Sequence, residues 1–144
     1  MFRQITDSFF VSPQITVDDV AQAKEMGAVM IINNRPEGEE ASQTPAEDIE
    51  VAARAAGLLY AAVPVTHAGF SPWQLDGMDE ALAKAGEGKV LAYCRSGTRS
   101  TLLWTLTRAR HGHDPEALSE KAAAAVYDLS PIRQIMDALA AEAK

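Results

Sequence analysis

The chain has 144 residues, a length that suits one domain with a real core. Hydrophobic residues make up 47% of it, which excludes a disordered chain, and no apolar run approaches membrane-spanning length. The net charge of −7 makes nucleic acid a poor partner, so any bound anion needs a local device rather than the overall field.

The opening "MFRQITDSFFVSPQ" has one basic residue and a polar break at Thr6 to Ser8, so it does not read as a secretory signal. Within it, "FRQI" and "FFVS" predict two short strands, an antiparallel edge pair. Thr16 is placed to cap a helix through about Met26, with Gly27 just past its end. "AVMII" (28–32), ending at Asn33, predicts the next strand. "TPAE" (44–47) reads as cap, first-turn proline and capping-box glutamate, and Gly57 closes that helix. "LLYAAVPV" (58–65) predicts a strand ending near Pro64. "SPWQ" (71–74) repeats the helix-start logic, and Gly86 ends the helix. "KVLAY" (89–93) is a strand ending at Cys94. Beyond it the chain reads almost entirely helical: a helix from about Arg99, another from Asp114-Pro115, and a last one from Ser130-Pro131. Strands alternating with helices predict an α/β, three-layer fold, a mostly parallel sheet flanked by helices, over residues 1–144 as a single domain.

That topology has a functional consequence. Ligands of parallel α/β sheets sit outside the carboxyl ends of the strands. The loops leaving those ends are "NNRPEGEE" (33–40), "THAGF" (66–70) and "CRSGTRS" (94–100), and they are expected to converge on one face.

The last of these holds the lone cysteine, Cys94. One cysteine excludes an internal disulfide, and a free thiol suits the cytoplasm. A nucleophilic thiol needs its thiolate form, which a helix N-terminus, a ring of backbone N–H groups and a nearby cation all favour. Gly97 permits the tight turn between strand and helix. The N–H groups of Arg95, Ser96, Gly97, Thr98, Arg99 and Ser100 are then able to point at one anion. Arg99 is placed to fold back as a planar fork on that anion. Ser100 is placed to donate a hydrogen bond to the thiolate. A lone cysteine is more often a small buried hydrophobe, but here glycine, arginine and helix start coincide with it.

Around this centre, His67 is a candidate substrate ligand or proton shuttle. Arg35 is a candidate to orient the anion or brace the Cys94 loop, and Arg95 is expected to point outward and tune the field at the mouth. "EGEE" (37–40) reads as a solvated acidic loop. Trp73 and Trp104 read as core or cradle-backing residues, and His111 and His113 as helix-end residues. No metal site and no glycine-rich nucleotide loop is present in the sequence, and no cofactor is expected.

Together, "AYCRSGTRSTLLW", "VSPQI" and "IINNRPEGEE" resemble the beta-lactamase-hydrolase-like, phosphatase-like domain family over nearly the full chain. The resemblance implies a dual-specificity-phosphatase-like α/β fold, with Cys94 as nucleophile and Arg99 as anion ligand. Members have been treated both as phosphatases and as sulfur transferases. Two departures favour sulfur transfer. Cys94 to Arg99 is C-x4-R, one residue shorter than the C-x5-R of tyrosine and dual-specificity phosphatases, and similar to rhodanese loops. The loop "VTHAGFS", where a general acid is expected, has no carboxylate, which leaves His67 or a carboxylate of "PEGEE" (36–40) as the source of a proton. The leading expectation is therefore a sulfurtransferase forming a persulfide on Cys94 from thiosulfate or a small persulfide, with a sulfur-oxidation protein as a possible partner. The alternatives are a phosphatase acting on a phosphate ester through phosphocysteine, an anion or redox sensor without turnover, and a catalytically silent docking module.

Overall fold

In a computed structural model, which describes residues 2–66 and 68–143, five strands form one sheet in the order β1-β2-β5-β3-β4. These are β1 (Arg3–Gln4), β2 (Phe9–Ser12), β3 (Ala28–Asn33), β4 (Leu59–Ala62) and β5 (Lys89–Tyr93). The β1–β2 pair is antiparallel and the other pairings are parallel. The antiparallel pair lies at one edge of the sheet, as expected, with β1 outermost and β2 joining it to β5; β4 is the other edge. The register aligns Ser12, Tyr93, Asn33 and Ala62 in one row across four strands. Those residues end their strands, so the following loops leave from one side.

Alternation along the strands splits the core into two layers. Phe9, Val11, Met30, Ile32, Val90 and Ala92 face one helical layer. Ile31, Leu91 and Tyr93 face the other. The first layer is built by α3 (Pro72–Ala85), α4 (Thr98–Arg110), α5 (Pro115–Ala124) and α6 (Arg133–Glu142), and the second by α1 (Val17–Glu25) and α2 (Ala46–Ala55). Each fully buried Leu or Ile in these layers contributes about 2 kcal/mol. Trp104 stacks on Phe9 with ring centroids 5.1 Å apart. The helix that follows Cys94, α4, is buried on nearly every side from Ser100 to Thr107. Its threonines tolerate that burial because Thr101, Thr105 and Thr107 donate their hydroxyls to the carbonyls of Gly97, Thr101 and Trp104. This buried helix fixes the Cys94 loop to the core.

Thr16 caps α1 as expected, and Asp19 completes a capping box with it; the Asp114 carboxylate accepts from the Ala117 N–H at the start of α5. At the start of α3 the Gln74 side chain accepts from the Ser71 N–H. The expected Thr44 cap is replaced. Helix α2 starts at Ala46, and Glu37, nine residues earlier, accepts its N–H at 2.9 Å. Ser130-Pro131 opens a single 3-10 turn, Ser130–Ile132, and the last helix begins only at Arg133. Trp73, expected in the core or behind the cradle, stands 59% exposed on the first turn of α3. No helix among the described residues is long and apolar enough to cross a membrane.

Candidate active site

Cys94 follows β5 directly and is fully buried. Gly97 adopts φ +89°, a left-handed conformation open to glycine, and α4 begins one residue later, at Thr98. The turn aims the Gly97 N–H at the Cys94 sulfur, 3.1 Å away. The Thr98 N–H reaches Ser96 Oγ at 3.4 Å, and Ser96 Oγ donates to Thr98 Oγ1 at 3.0 Å. The expected Ser100-to-thiolate bond is absent. Ser100 Oγ is buried without a hydrogen-bond partner, and the Gly97 amide takes the place assigned to it.

The larger correction concerns the acidic loop. Glu37, Gly38 and Glu40 of "EGEE" are exposed, as expected, but Glu39 is half-buried and lies in the site. Arg99 grips its carboxylate with both ends of the fork, Nη1 to Oε2 at 2.7 Å and Nη2 to Oε1 at 2.8 Å. The same Nη1 donates to the Val65 carbonyl at 2.7 Å, which ties in the loop after β4. Arg35 reaches Glu39 from the other side, Nε to Oε1 at 2.9 Å. The paired guanidinium of Arg99, against the opposing effect of burial and with help from Arg35, holds the Glu39 carboxyl down at about 2, from an ordinary 4.5. The carboxylate in turn raises Arg99, and the Cys94 sulfur contributes in the same direction.

Local sequence explains how Arg35 arrives there. The Asn33 side chain accepts from the Arg35 N–H at 2.9 Å, while Asn34 donates its amide to the Val63 carbonyl and its N–H to the Tyr93 carbonyl. The two asparagines end β3 and bind it to both neighbouring strands. Pro36 follows, and Gln43 closes the loop by accepting from the Glu40 N–H and donating to the Pro36 carbonyl. Arg35 is thereby buried at 4% exposure, with Nη1 on Gln14 Oε1 and Nη2 on Glu40. Gln14 donates its own N–H to the Arg95 carbonyl, so Arg35 braces the Cys94 loop through Gln14. Arg95 points outward, as expected, and its 67%-exposed side chain pairs with Glu40 at 3.0 Å.

The loops after β3, β4 and β5 therefore meet at one mouth and bring Cys94, Arg99, Arg35 and Arg95 together. His67, also an expected contributor, lies outside the described residues. His111 and Arg110 are elsewhere, at the far end of α4, where both contact Asp79. There, a cleft of about 610 Å³ lined by Phe9, Trp104 and Arg108 opens at the amino ends of the strands, away from Cys94.

Sequence reasoning missed one participant and left another unresolved. Glu39 is among the "PEGEE" carboxylates named as proton sources, but its own place was legible only as the partner of two arginines on convergent loops. Tyr127, between α5 and α6, gave no signal, yet its hydroxyl donates to the Ser96 carbonyl at 3.0 Å and accepts from Arg3 Nη1 at 2.9 Å. A Cβ at position 97 would lie 2.1 Å from that hydroxyl. Gly97→Ala is therefore expected to cost at least about 1–3 kcal/mol from its backbone angle alone, with a further clash against Tyr127. Thermal denaturation beside Gly38→Ala, which shares the positive φ (+74°) but has no atom within 4 Å of an added Cβ, separates the clash from the backbone cost.

Comparison with known proteins agrees with this architecture. A candidate phosphatase of known crystal structure from Neisseria meningitidis z2491 superposes with a TM-score of 0.82 at 33% identity, covering 95% of this chain and 96% of its own. The core catalytic domain of the PP-IP phosphatase SIW14 from S. cerevisiae, in complex with citrate, gives 0.71 at 13% identity, covering 94% and 83%. A Cys-to-Ser variant of P. aeruginosa TpbA in complex with phosphotyrosine gives 0.68 at 16%, covering 99% and 89%. The fold is dual-specificity-phosphatase-like. Beta-lactamase hydrolase-like proteins of Xylella fastidiosa and Agrobacterium fabrum are 35% and 32% identical over 108 and 109 residues, or 75% and 76% of this chain. The matched segment is 25% of those relatives, so the chain spans about a quarter of their length. Residues 1–111 match the phosphatase-like domain of the beta-lactamase hydrolase-like proteins, and the chain belongs to that family.

Proposed function

We propose that the protein hydrolyses phosphate monoesters through a phosphocysteine on Cys94. The observation that carries this reading is the carboxylate seated on Arg99 beside a thiol that already receives a backbone N–H. It supplies a candidate for the acid whose absence from "VTHAGFS" was one of the two arguments for sulfur transfer. The phosphatase-like family supports the same choice.

In this mechanism a phosphoryl group takes the Arg99 fork from Glu39, with its oxygens on Nη1 and Nη2. The Cys94 thiolate attacks phosphorus, forming an S–P bond as the P–O bond to the leaving group breaks. Glu39, released by Arg99 and still held by Arg35, takes up a proton from solvent as the phosphate dianion binds beside it and delivers that proton to the leaving oxygen. Its carboxylate then takes a proton from the water that cleaves the S–P bond, which returns the thiolate and releases phosphate. Arg35 positions Glu39, and Arg95 adds positive charge at the rim. The substrate is a small anionic phosphate ester; the shorter loop restricts the depth of the seat.

The test offers one purified sample 4-nitrophenyl phosphate and, separately, thiosulfate followed by cyanide. Multiple turnovers of nitrophenol, with phosphate trapped on Cys94 by acid quench, are expected. One added sulfur on Cys94 from thiosulfate, with no phosphate released from the ester, would overturn the reading in favour of sulfur transfer.

A further inference from the structure

We infer that Tyr127 is a positioning residue for the Cys94 thiol, acting through a single peptide unit. The inference rests on the reading of Cys94 as nucleophile. The Ser96 carbonyl and the Gly97 N–H belong to one planar trans peptide and point in opposite directions. Tyr127 holds the carbonyl end at 3.0 Å, and the N–H end meets the Cys94 sulfur at 3.1 Å. Fixing one end orients the other. A hydrogen bond accepted by the carbonyl also polarises the unit and strengthens its N–H as a donor.

The relay extends outward. Arg3 donates to the Tyr127 hydroxyl at 2.9 Å, and its guanidinium carbon lies 5.2 Å from the ring centroid. A charged donor on the phenol oxygen makes its proton a better donor to Ser96. The chain also places Tyr127 at a conformational expense. Val126 has φ +68°, the one non-glycine residue among those described with positive φ, and it is 73% exposed. A β-branched side chain in that region is strained. The strained residue turns the backbone out of α5 immediately before Tyr127, and Tyr127 ends 6% exposed against the loop. Tyr127 also lies beyond residues 1–111, the part matching the family, so the C-terminal segment completes the nucleophile loop.

The test compares wild type, Tyr127→Phe and Arg3→Gln by iodoacetamide alkylation of Cys94 across pH, by kcat and KM on 4-nitrophenyl phosphate, and by thermal denaturation. Tyr127→Phe keeps the ring and removes the hydroxyl. Its alkylation at neutral pH is expected to fall about three- to tenfold, the worth of one hydrogen bond. Its pH–rate curve should move upward, with kcat falling more than KM rises. Arg3→Gln is expected to shift the curve in the same direction by less, and it carries the test if Tyr127→Phe does not fold. A folded Tyr127→Phe with wild-type alkylation and kcat overturns the inference. So does a change in melting temperature with no change in the alkylation curve. Wild-type Cys94 that resists iodoacetamide at every pH up to unfolding would instead overturn the nucleophile reading beneath it, so the two failures are distinguishable.

Discussion

Arg99→Lys is expected to lower kcat/KM for a phosphate monoester by about 10²–10³-fold, the range seen when one charge-stabilising donor is lost, and Cys94→Ser to abolish turnover. The charge is unchanged in the lysine variant, so the loss must come from geometry. Arg99 makes three short contacts at once, two to the carboxylate of Glu39 and one to the Val65 carbonyl. The guanidinium meets all three because its donors lie in one plane at fixed angles. An ammonium on a flexible stem has one nitrogen, which cannot span two oxygens of an anion while holding Val65. The lysine variant therefore loses the bidentate seat and loosens the loop after β4 as well. Steady-state kinetics on 4-nitrophenyl phosphate measures the drop. The Cys94→Ser protein should still bind inorganic phosphate by calorimetry, because the Arg99 fork remains. A lysine variant with kcat/KM within a factor of about two of wild type would mean that Arg99 serves only as a point charge.

Much of the fold was legible because its signals are local. The strand "KVLAY" was read to the residue, and Thr16 with Asp19, and Asp114, cap their helices as their spacing dictates. Thr44 failed because the competing acceptor came from a loop: Glu37 folds back onto the Ala46 N–H, which no short-range rule anticipates. Ser100 failed for a related reason. In a turn of this tightness the Gly97 amide reaches the sulfur first, and the hydroxyl is turned away into the core. The site was legible on the cationic side and hidden on the anionic side. Arg99 and Arg35 stand out in an acidic chain, whereas Glu39 sits in an acidic run that ordinarily faces water. Its partner Arg99 is sixty residues away, so only the convergence of the loops explains its burial. A carboxylate of "PEGEE" was, beside His67, one of two candidate proton sources, but nothing local singled out Glu39, and the short loop with a carboxylate-free "VTHAGFS" tipped the reaction toward sulfur transfer.

Glu39→Gln is expected to split binding from turnover. The resting carboxylate competes with substrate for the Arg99 fork, and a neutral amide competes less. Inorganic phosphate should therefore bind about tenfold more tightly, the equivalent of one charge-assisted hydrogen bond no longer opposed. The amide has no proton to give to a leaving oxygen, so kcat on an alkyl phosphate should fall by about 10²–10⁴-fold. An activated aryl phosphate, whose leaving group needs less protonation, should lose less. If Glu39 only braced Arg99, phosphate affinity would weaken and both esters would suffer alike. Stability gives an independent measure. The Glu39 carboxyl is held at about 2 in the folded chain against an ordinary 4.5. A depressed folded value means that its contribution is present above about pH 4.5 and lost as pH falls from there toward 2. Glu39 is 19% exposed, and after allowance for solvent screening the contribution is about 2 kcal/mol. Glu39→Gln should therefore be less stable than wild type at neutral pH, and the two denaturation midpoints should converge as pH falls through that window. Midpoints that stay parallel from pH 7 down to about 3 would show that the carboxylate on Arg99 contributes nothing to the folded state.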